Sequence, residues 1–259
     1  MRRDRFGVAS FVVIVLLTPA SAVAWAGTPQ RPYHGELAIA AAEALSDPAR
    51  AFLFAHRDEF TRGSVDPDRL VNPFNHTLTA SGEGGAGDFA SAELSDAEAS
   101  LSEGDVATAA YELGEAVHVV MDVAQPMHAA GPEAIANRHH TDYENATADH
   151  TAELRLDEVQ LSKDMDPKGA LRALAERSGA RYARLAAALD AAKDDWSPEV
   201  KNETEEALRD ALGVAAMLLG NVLGSKLIST PGSRPTVFRE LPLVVAACLC
   251  VGLAARHRR

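Results

Sequence analysis

Two histidines and an aspartate lie close together in the segment "AAYELGEAVHVVMDVAQPMHAAG", residues 109–131. His118 and Asp122 are four residues apart in a run of good helix formers, so they project from one helix face and can reach the same ion. Pro126 cannot donate a backbone hydrogen bond and tends to end a helix, which places His128 just past the C-terminus and aims it differently. This one segment could therefore supply ligands to two neighbouring metal ions.

Other imidazoles and carboxylates stand at useful spacings on both sides of this segment. His140 and Glu144, in "HTDYE", repeat the four-residue spacing on a second predicted helix. The loop "GSVDPD" supplies Asp66 and Asp68, and His76 follows a few residues later. Imidazole and carboxylate are the ligands that zinc takes where cysteine is absent, and both cysteines of this chain lie in its last twelve residues. A single imidazole–carboxylate pair of this kind is often only a solvated contact on a helix surface. Several such pairs along one chain indicate a metal site.

The elements that must hold these side chains in place are predicted to be helices. Helical periodicity recurs along the chain, and no segment shows a convincing strand alternation. The periodic segments are 36–56, 90–101, 106–125, 140–161, 168–192 and 198–228. Capping residues, glycine or proline stand at their boundaries. Alanine is abundant and only 5% of the residues are aromatic, so the sequence predicts an all-α fold whose last two helices carry no histidine and act as scaffold.

The N-terminal residues have the composition of a secretion signal. Residues 1–24 begin with basic residues, continue with an apolar run and end in Ala22-Val23-Ala24, which suits signal peptidase. Cleavage there would make Trp25 the first residue of the mature chain. An uncleaved membrane anchor is the alternative, and the shortness of the apolar run disfavours it. The protein is therefore expected to be exported, to the cell surface, the periplasm or the medium.

The C-terminal residues are predicted to form a linker, 229–240, and a short hydrophobic tail with a basic end, 241–259. The apolar run of the tail has 15 residues, fewer than the about 20 that span a bilayer comfortably. It could be a short anchor or a sorting tail, and a buried C-terminal helix is the alternative. The formal charge of the whole chain is −12, and both ends are net basic, so the domain between them is strongly acidic. Such a charge disfavours nucleic acid as a partner.

The order of these residues resembles that of the secreted bacterial zinc-dependent phospholipase C family, within the wider group that includes the S1/P1-type nucleases. The motif "LGEAVHVVMDVAQPMHAA" followed by "HHTDYEN" carries the resemblance, which extends over about residues 25–228. It implies a bundle of α-helices with three zinc ions in a cleft. The residues that match the family pattern are Trp25, His34, Asp68, His76, His118, Asp122, His128, His140 and Glu144.

In the ligand set that the resemblance implies, Asp122 bridges two zinc ions. His76 and His118 would bind the first of them together with Asp122. The second would be bound by His34, by Asp122, and by the α-amine and carbonyl oxygen of Trp25. Two zinc ions about 3.5–4 Å apart make a shared water more acidic and neutralise the charge of a phosphodiester. An acidic protein can therefore still bind an anionic ester.

The other implied ligands surround a third zinc ion, which would stabilise the leaving oxygen. The resemblance assigns His128, His140 and Glu144 to this ion. Asp68 matches the loop aspartate of the family, a metal ligand that orients or deprotonates the attacking water. Asp66 is the alternative for that role, and it is disfavoured because the family loop usually ends at the ligand aspartate.

Two features of the sequence favour a phospholipid substrate or membrane surface over nucleic acid. Glu144 stands where the nucleases usually have aspartate, and the "GGN" found between the corresponding nuclease ligands is missing. The positions of the choline-binding residues of well-known phospholipases hold Thr28, Arg69 and Pro73 instead. The resemblance thus implies hydrolysis of phospholipids to diacylglycerol and a phosphorylated headgroup, without a choline preference.

Two other functions stay open from the sequence. One is an S1/P1-type single-strand nuclease. The other is a non-catalytic exported zinc protein, which would need ligands that close every coordination position. No protein partner is indicated, and a monomer is expected. His56 and His139 have no counterpart in the family pattern and are expected to be structural or surface residues.

Overall fold

The structure, a computed structural model, describes residues 33–136, 139–150, 153–154, 156, 165–192 and 196–227. Four predicted features lie outside the described residues: the signal peptide 1–24, Trp25, the linker 229–240 and the tail 241–259. They therefore stay predictions.

All regular elements in the described residues are helices, which confirms the prediction of an all-α fold. The first part contains α1 (Tyr33–Glu43), α2 (Asp47–Ala55), α3 (Arg57–Gly63), α4 (Pro67–Leu70) and a 3-10 turn (Pro73–His76). The middle part contains α5 (Ala86–Glu103), α6 (Val106–Ala124), α7 (Pro126–Ala130), α8 (Pro132–Ile135) and α9 (His139–Asp149). The last part contains α10 (Pro167–Ala191) and α11 (Pro198–Leu227).

Two of the predicted helices are divided or shortened in the structure. The segment 36–56 forms α1 and α2, because Pro48 cannot donate to a preceding turn and is suited to begin a new helix after Ser46. The helix predicted over 140–161 ends at Asp149. Beyond it, Leu154 and Leu156 both pack against the core, and a spacing of two cannot place both on one helix face.

Helix α6 is the central element of the bundle. All residues from 116 to 127 are buried, so the end of α6 and the start of α7 are enclosed by the helices around them. Helices α3, α5 and α11 pack along α6, while α10 packs mainly against α7. A helix buried on all sides is expected to be apolar throughout. The polar side chains of His118 and Asp122 in this stretch therefore need a reason other than packing.

Two glycines allow α3 and α6 to cross with their backbones in contact. A Cβ atom on Gly63 would lie 2.0 Å from the carbonyl oxygen of Tyr111, and one on Gly114 would lie 2.2 Å from the carbonyl oxygen of Phe60. Both distances are far below van der Waals contact, so a larger residue at either position would push the helices apart. The close crossing holds the end of α3 against the turn of α6 that carries His118.

The last two helices form a scaffold, as the sequence predicted. Ion pairs join them on their outer sides, where Arg181 Nη2 and Arg177 Nε lie 2.6 Å and 3.1 Å from Oδ2 of Asp210. Helix α11 includes the one described stretch that is long and apolar enough to cross a membrane, Pro198–Ser225, but 72% of its most apolar window is buried inside the protein. Its apolar side chains accordingly belong to the core of the bundle.

Candidate metal centre

Eight of the nine predicted site residues lie in the described part of the chain, and the fold brings them together. They form three groups, two of which share His118, and in each group one ligand atom per residue lies within 4.8 Å of the others. The groups are His34 with His118 and Asp122, Asp68 with His76 and His118, and His128 with His140 and Glu144. The ninth residue, Trp25, lies outside the described residues.

Asp122 lies at the centre of these groups. Its side chain is 2% exposed, and its Oδ2 lies 2.6 Å from His76 Nδ1 and 3.1 Å from His118 Nε2. Its Oδ1 lies 3.5 Å from His34 Nε2 and 3.7 Å from His128 Nδ1. Four imidazoles around one carboxylate supply more nitrogen atoms than a hydrogen-bonded ion pair requires. The arrangement suits a carboxylate that bridges metal ions, each of which has its own imidazole ligands.

A backbone carbonyl group orients the ring of His118. Its Nδ1 lies 2.9 Å from the carbonyl oxygen of Ser64, and because a carbonyl oxygen only accepts, this nitrogen carries a proton. The Nε2 atom then faces the site, 3.0 Å from His76 Nδ1 and 3.6 Å from Asp68 Oδ1. Metal-binding histidines are commonly held in this way, by a hydrogen bond from the far ring nitrogen to a backbone carbonyl.

His34, in the first turn of α1, is fully buried, and neither of its ring nitrogens has a hydrogen-bond partner among the described residues. A buried polar ring that makes no hydrogen bond costs free energy, because its nitrogens have lost water without gaining a hydrogen bond in return. Burial lowers the pKa of His34 well below its ordinary value, so the ring is neutral and one nitrogen offers a lone pair. These are the properties of a metal ligand.

The third group connects α7 to α9. His128 Nδ1 donates to the carbonyl oxygen of His76 at 3.3 Å, which leaves its Nε2 for the group. This Nε2 lies 2.9 Å from His140 Nε2, which in turn lies 3.0 Å from Glu144 Oε1. Two imidazole nitrogens on one tetrahedral zinc ion would be roughly 3.4 Å apart. The donor set and its spacing therefore fit a zinc ion after a small outward movement of the rings.

His128 lies just past the end of α6, where Pro126 was expected to place it. Helix α6 ends at Ala124, and the proline also begins the short helix α7. Proline suits the first turn of a helix, because the N–H group that it lacks is not needed there. His128 therefore stands in a short helix of its own and joins a different group from His118.

Asp122 and His118 form a buried ion pair. Burial lowers the pKa of His118, but the charge and hydrogen bond of Asp122, the charge of Asp68 and the hydrogen bond to Ser64 together outweigh this effect and raise the pKa to about 9. Burial likewise opposes ionisation of Asp122, yet the charge of His118 and the hydrogen bonds from the imidazoles hold the pKa of Asp122 well below its ordinary value. A metal ion would have to replace the proton that faces Asp122, which makes metal affinity dependent on pH.

One side of the centre is accessible to solvent. The side chains of His34, His118, Asp122 and Glu144 are 0%, 0%, 2% and 6% exposed. Those of Asp68, His76, His128 and His140 are 15%, 13%, 12% and 18% exposed. These last four residues form the part of the centre that is open to solvent. Access of this kind is one requirement of a catalytic metal site.

The two acids of the loop have different surroundings. Asp66 Oδ1 accepts a hydrogen bond from Arg69 Nη2 at 2.5 Å, and its Oδ2 accepts one from the Tyr111 hydroxyl at 3.3 Å. Asp66 and Arg69 line a cleft of about 520 Å³ between α1, α3 and α4. Asp68 instead joins one of the three groups that could hold a metal ion. The geometry thus favours Asp68 over Asp66 as the acid of the site.

Two residues that the sequence did not indicate contact the predicted ligands. Ser64 contacts His118 through its backbone carbonyl oxygen, and the type of a residue does not predict such a backbone contact. Gln125 donates to Glu144 at 3.4 Å and caps α7, and its place directly before a proline is a signal for a helix start. His139, expected to be a structural or surface residue, is 5% exposed and pairs with Asp190 at 2.8 Å, which ties α9 to α10.

Comparisons with known proteins indicate the family of the chain. The family model described as zinc-dependent phospholipase C matches residues 33–201, more than half of the chain. No curated protein matches the chain. The alpha-toxin of Clostridium absonum has a similar structure, with a TM-score of 0.60 and 16% identity over 74% of this chain and 63% of that chain. The alpha-toxin of Clostridium perfringens from avian strain SWCP gives a TM-score of 0.63 and 16% identity over 81% of this chain and 68% of that chain.

The two kinds of similarity support different conclusions. At 16% identity the toxin structures show a shared fold, and the chain spans only 63% and 68% of their lengths. The family match is more specific, because it runs from α1 into α11 and includes every described residue of the site. The chain therefore belongs to the zinc-dependent phospholipase C family.

Proposed function

We propose that this protein is an exported zinc-dependent phosphodiesterase that hydrolyses phospholipids to diacylglycerol and a phosphorylated headgroup. The observation that carries the proposal is the convergence of three imidazole–carboxylate groups around Asp122, on an accessible side of the bundle. Membership of the family supports zinc as the metal and a phospholipase C type of reaction. Export depends on the signal peptide predicted for residues 1–24.

The donor set suits zinc, and we assign three ions to it. The three groups that could hold a metal ion support this number, and so does the ring of His34, which has no hydrogen-bond partner among the described residues. When bound, zinc supplies positive charge that polarises a phosphodiester and makes a water molecule more acidic. The proposed ligand sets are His76, His118 and Asp122; His34, Asp122 and Trp25; and His128, His140 and Glu144.

Asp68 is the group that we assign to the proton of the attacking water. Its carboxylate is 15% exposed on the accessible side and lies 3.6 Å from His118 Nε2. A carboxylate in this place can orient a water molecule and accept its proton while the oxygen attacks phosphorus. Asp66 is less suited to the role, because Arg69 and Tyr111 already donate to its two oxygens.

Charge and exposed side chains favour a phospholipid over nucleic acid as substrate. The chain carries a formal charge of −12, which repels a polyanion that extends beyond the site itself. Leu70 and Phe74, which are 71% and 60% exposed, lie between Asp68 and His76 along the chain. Exposed apolar side chains next to a site favour an amphiphilic ligand. The headgroup is not expected to be choline in particular, since the family's choline-binding residues are absent.

The test combines metal analysis of the processed protein with hydrolysis assays on short-chain phospholipids and on single-stranded DNA and RNA. About three zinc ions per molecule and release of a phosphorylated headgroup are expected, and Asp122→Asn should lose both, because the bridging carboxylate is removed. Release of nucleotides without action on phospholipids would establish the nuclease alternative. Zinc without either activity would identify a non-catalytic zinc protein, and active protein with one metal ion or none would refute the trinuclear centre.

A further inference from the structure

Gln125 lies at the junction of α6 and α7 and contacts the backbone of both helices. It is fully buried, and its backbone N–H donates to the carbonyl oxygen of Asp122 at 2.9 Å. Its side-chain Oε1 accepts from the backbone N–H of Met127 at 2.5 Å and of His128 at 3.3 Å, which caps the first turn of α7. One buried side chain therefore fixes the turn on which His128 stands.

These contacts determine which way the Gln125 amide faces. The N–H groups of Met127 and His128 need an acceptor, so the amide oxygen must lie toward α7. The amide nitrogen then lies on the opposite side, where it donates to Glu144 Oε1 at 3.4 Å. The same Glu144 oxygen lies 3.0 Å from His140 Nε2. The amide thus connects α7 to a carboxylate of α9.

We propose that Gln125 is a positioning residue for the metal-binding group of His128, His140 and Glu144, an inference that rests on the proposed zinc-binding function. The amide oxygen holds the turn that carries His128, and the amide nitrogen holds the carboxylate of Glu144. Gln125 itself is not one of the proposed metal ligands. Partners that orient metal ligands in this way commonly change metal affinity or activity by about 10- to 100-fold when they are replaced.

A test must separate this role from that of a simple helix cap. Gln125→Glu keeps an oxygen acceptor for Met127 and His128, but it replaces the amide donor by an oxygen that faces Glu144. Gln125→Met keeps the approximate length of the side chain and removes both functions. Gln125→Glu therefore keeps the helix cap but loses the hydrogen bond that positions Glu144.

Asp166→Ala is the matched control for the loss of a cap. Asp166 caps α10 by accepting from the backbone N–H of Gly169 at 3.0 Å, and α10 carries none of the candidate ligands. The variant should lower the melting temperature without changing the zinc content. Zinc per molecule is measured for all forms during dialysis against increasing chelator, together with the melting temperature and the hydrolysis of a short-chain phospholipid.

We expect both Gln125 variants to release one zinc ion at about 10- to 100-fold lower chelator concentration than the unaltered protein, and to lose activity accordingly. If Gln125→Glu keeps its zinc while Gln125→Met loses it, Gln125 is only a helix cap and the inference is wrong. Unchanged zinc retention in both variants also overturns it. Where Gln125→Met does not fold, the glutamate variant decides alone. An unaltered protein that binds no zinc would refute the proposed function as well, so the two failures can be distinguished.

Discussion

At the scale of single residues, we expect the two loop aspartates to differ strongly in their effect on catalysis. Asp68→Asn should lower kcat by about 100- to 10,000-fold, because an amide cannot accept the proton of the attacking water. Asp66→Asn should lower it less than about tenfold, since this residue bonds to Arg69 and Tyr111 and belongs to none of the three groups that could hold a metal ion. Steady-state kinetics on a soluble phospholipid checks the ranking. A larger effect of Asp66→Asn would mean that the acid of the site has been misassigned.

A second prediction at this scale concerns a pair of carboxyl groups between α5 and α6. Burial, and then the charge of Glu115, raise the pKa of Glu93 to about 8, and the two side chains hydrogen-bond to each other. In the unfolded chain Glu93 loses its proton near the ordinary pKa of 4.5. The unfolded state therefore binds fewer protons than the folded state between these values, and stability falls as the pH rises from about 4.5 to about 8.

The variant Glu93→Gln removes this penalty because glutamine does not ionise. We expect its melting temperature to exceed that of the unaltered protein by about 2–4 °C at pH 8, with little difference at pH 4.5. Glu98→Gln, at an exposed position of the same helix, is the control and should show no such pH dependence. Equal melting curves for Glu93→Gln and the unaltered protein at pH 8 would contradict the raised pKa of Glu93.

At the scale of elements, the crossing of α3 and α6 decides where His118 points. Gly114→Ala would place a methyl group 2.2 Å from the carbonyl oxygen of Phe60, so the helices must separate. We expect a loss of at least about 2 kcal/mol in the free energy of unfolding. Zinc affinity should fall too, because the carbonyl of Ser64 would move away from His118 Nδ1.

Gly224→Ala is the control for this change, because nothing lies within 4 Å of a Cβ atom built on Gly224 in α11. Alanine has the higher helix propensity, so this variant should gain about 0.5–1 kcal/mol of stability. Chemical denaturation of both variants measures the difference. Equal stability of Gly114→Ala and the unaltered protein would show that the crossing is not as tight as its geometry indicates.

The same elements show what a sequence can and cannot predict about the site. The shared face of His118 and Asp122 follows from a spacing of four in a helix, and the end of α6 follows from Pro126. The hydrogen bond from His118 to Ser64 does not follow, because it depends on how closely two helices cross, which is set by tertiary packing. The early end of α9 was missed for a similar reason, since Leu154 and Leu156 pack on the core outside a helix.

At the scale of the whole molecule, the site is assembled from distant parts of the chain. His34 comes from α1, Asp68 from α4, His118 from α6 and Glu144 from α9, so no local segment contains the centre. The all-α class follows from periodicity, but the juxtaposition of these helices was predicted only through the resemblance to a family. The scaffold of α10 and α11 holds α6, α7 and α9 in place without contributing a candidate ligand.

The last prediction concerns how the site is completed when the protein matures. His34 is buried, its ring nitrogens have no hydrogen-bond partner among the described residues, and it forms a group with His118 and Asp122 that could hold a metal ion. Trp25 lies nine residues before His34 in the sequence and would have a free α-amine only after the predicted signal peptide is cleaved. The metal itself would promote loss of the proton from that amine.

Protein made with a tag or an extra methionine before Trp25 should therefore lose the zinc ion held by His34. Its turnover should fall at least about tenfold, while its helical content stays the same. Trp25→Ala with a correctly processed terminus should be milder, because the amine and carbonyl oxygen remain and only the indole packing is lost. Zinc content, circular dichroism and turnover are compared for the processed, tagged and Trp25→Ala forms. Full zinc content and activity in the tagged form would show that the N-terminus is not a ligand, and His34 would then have to find its partner within the bundle.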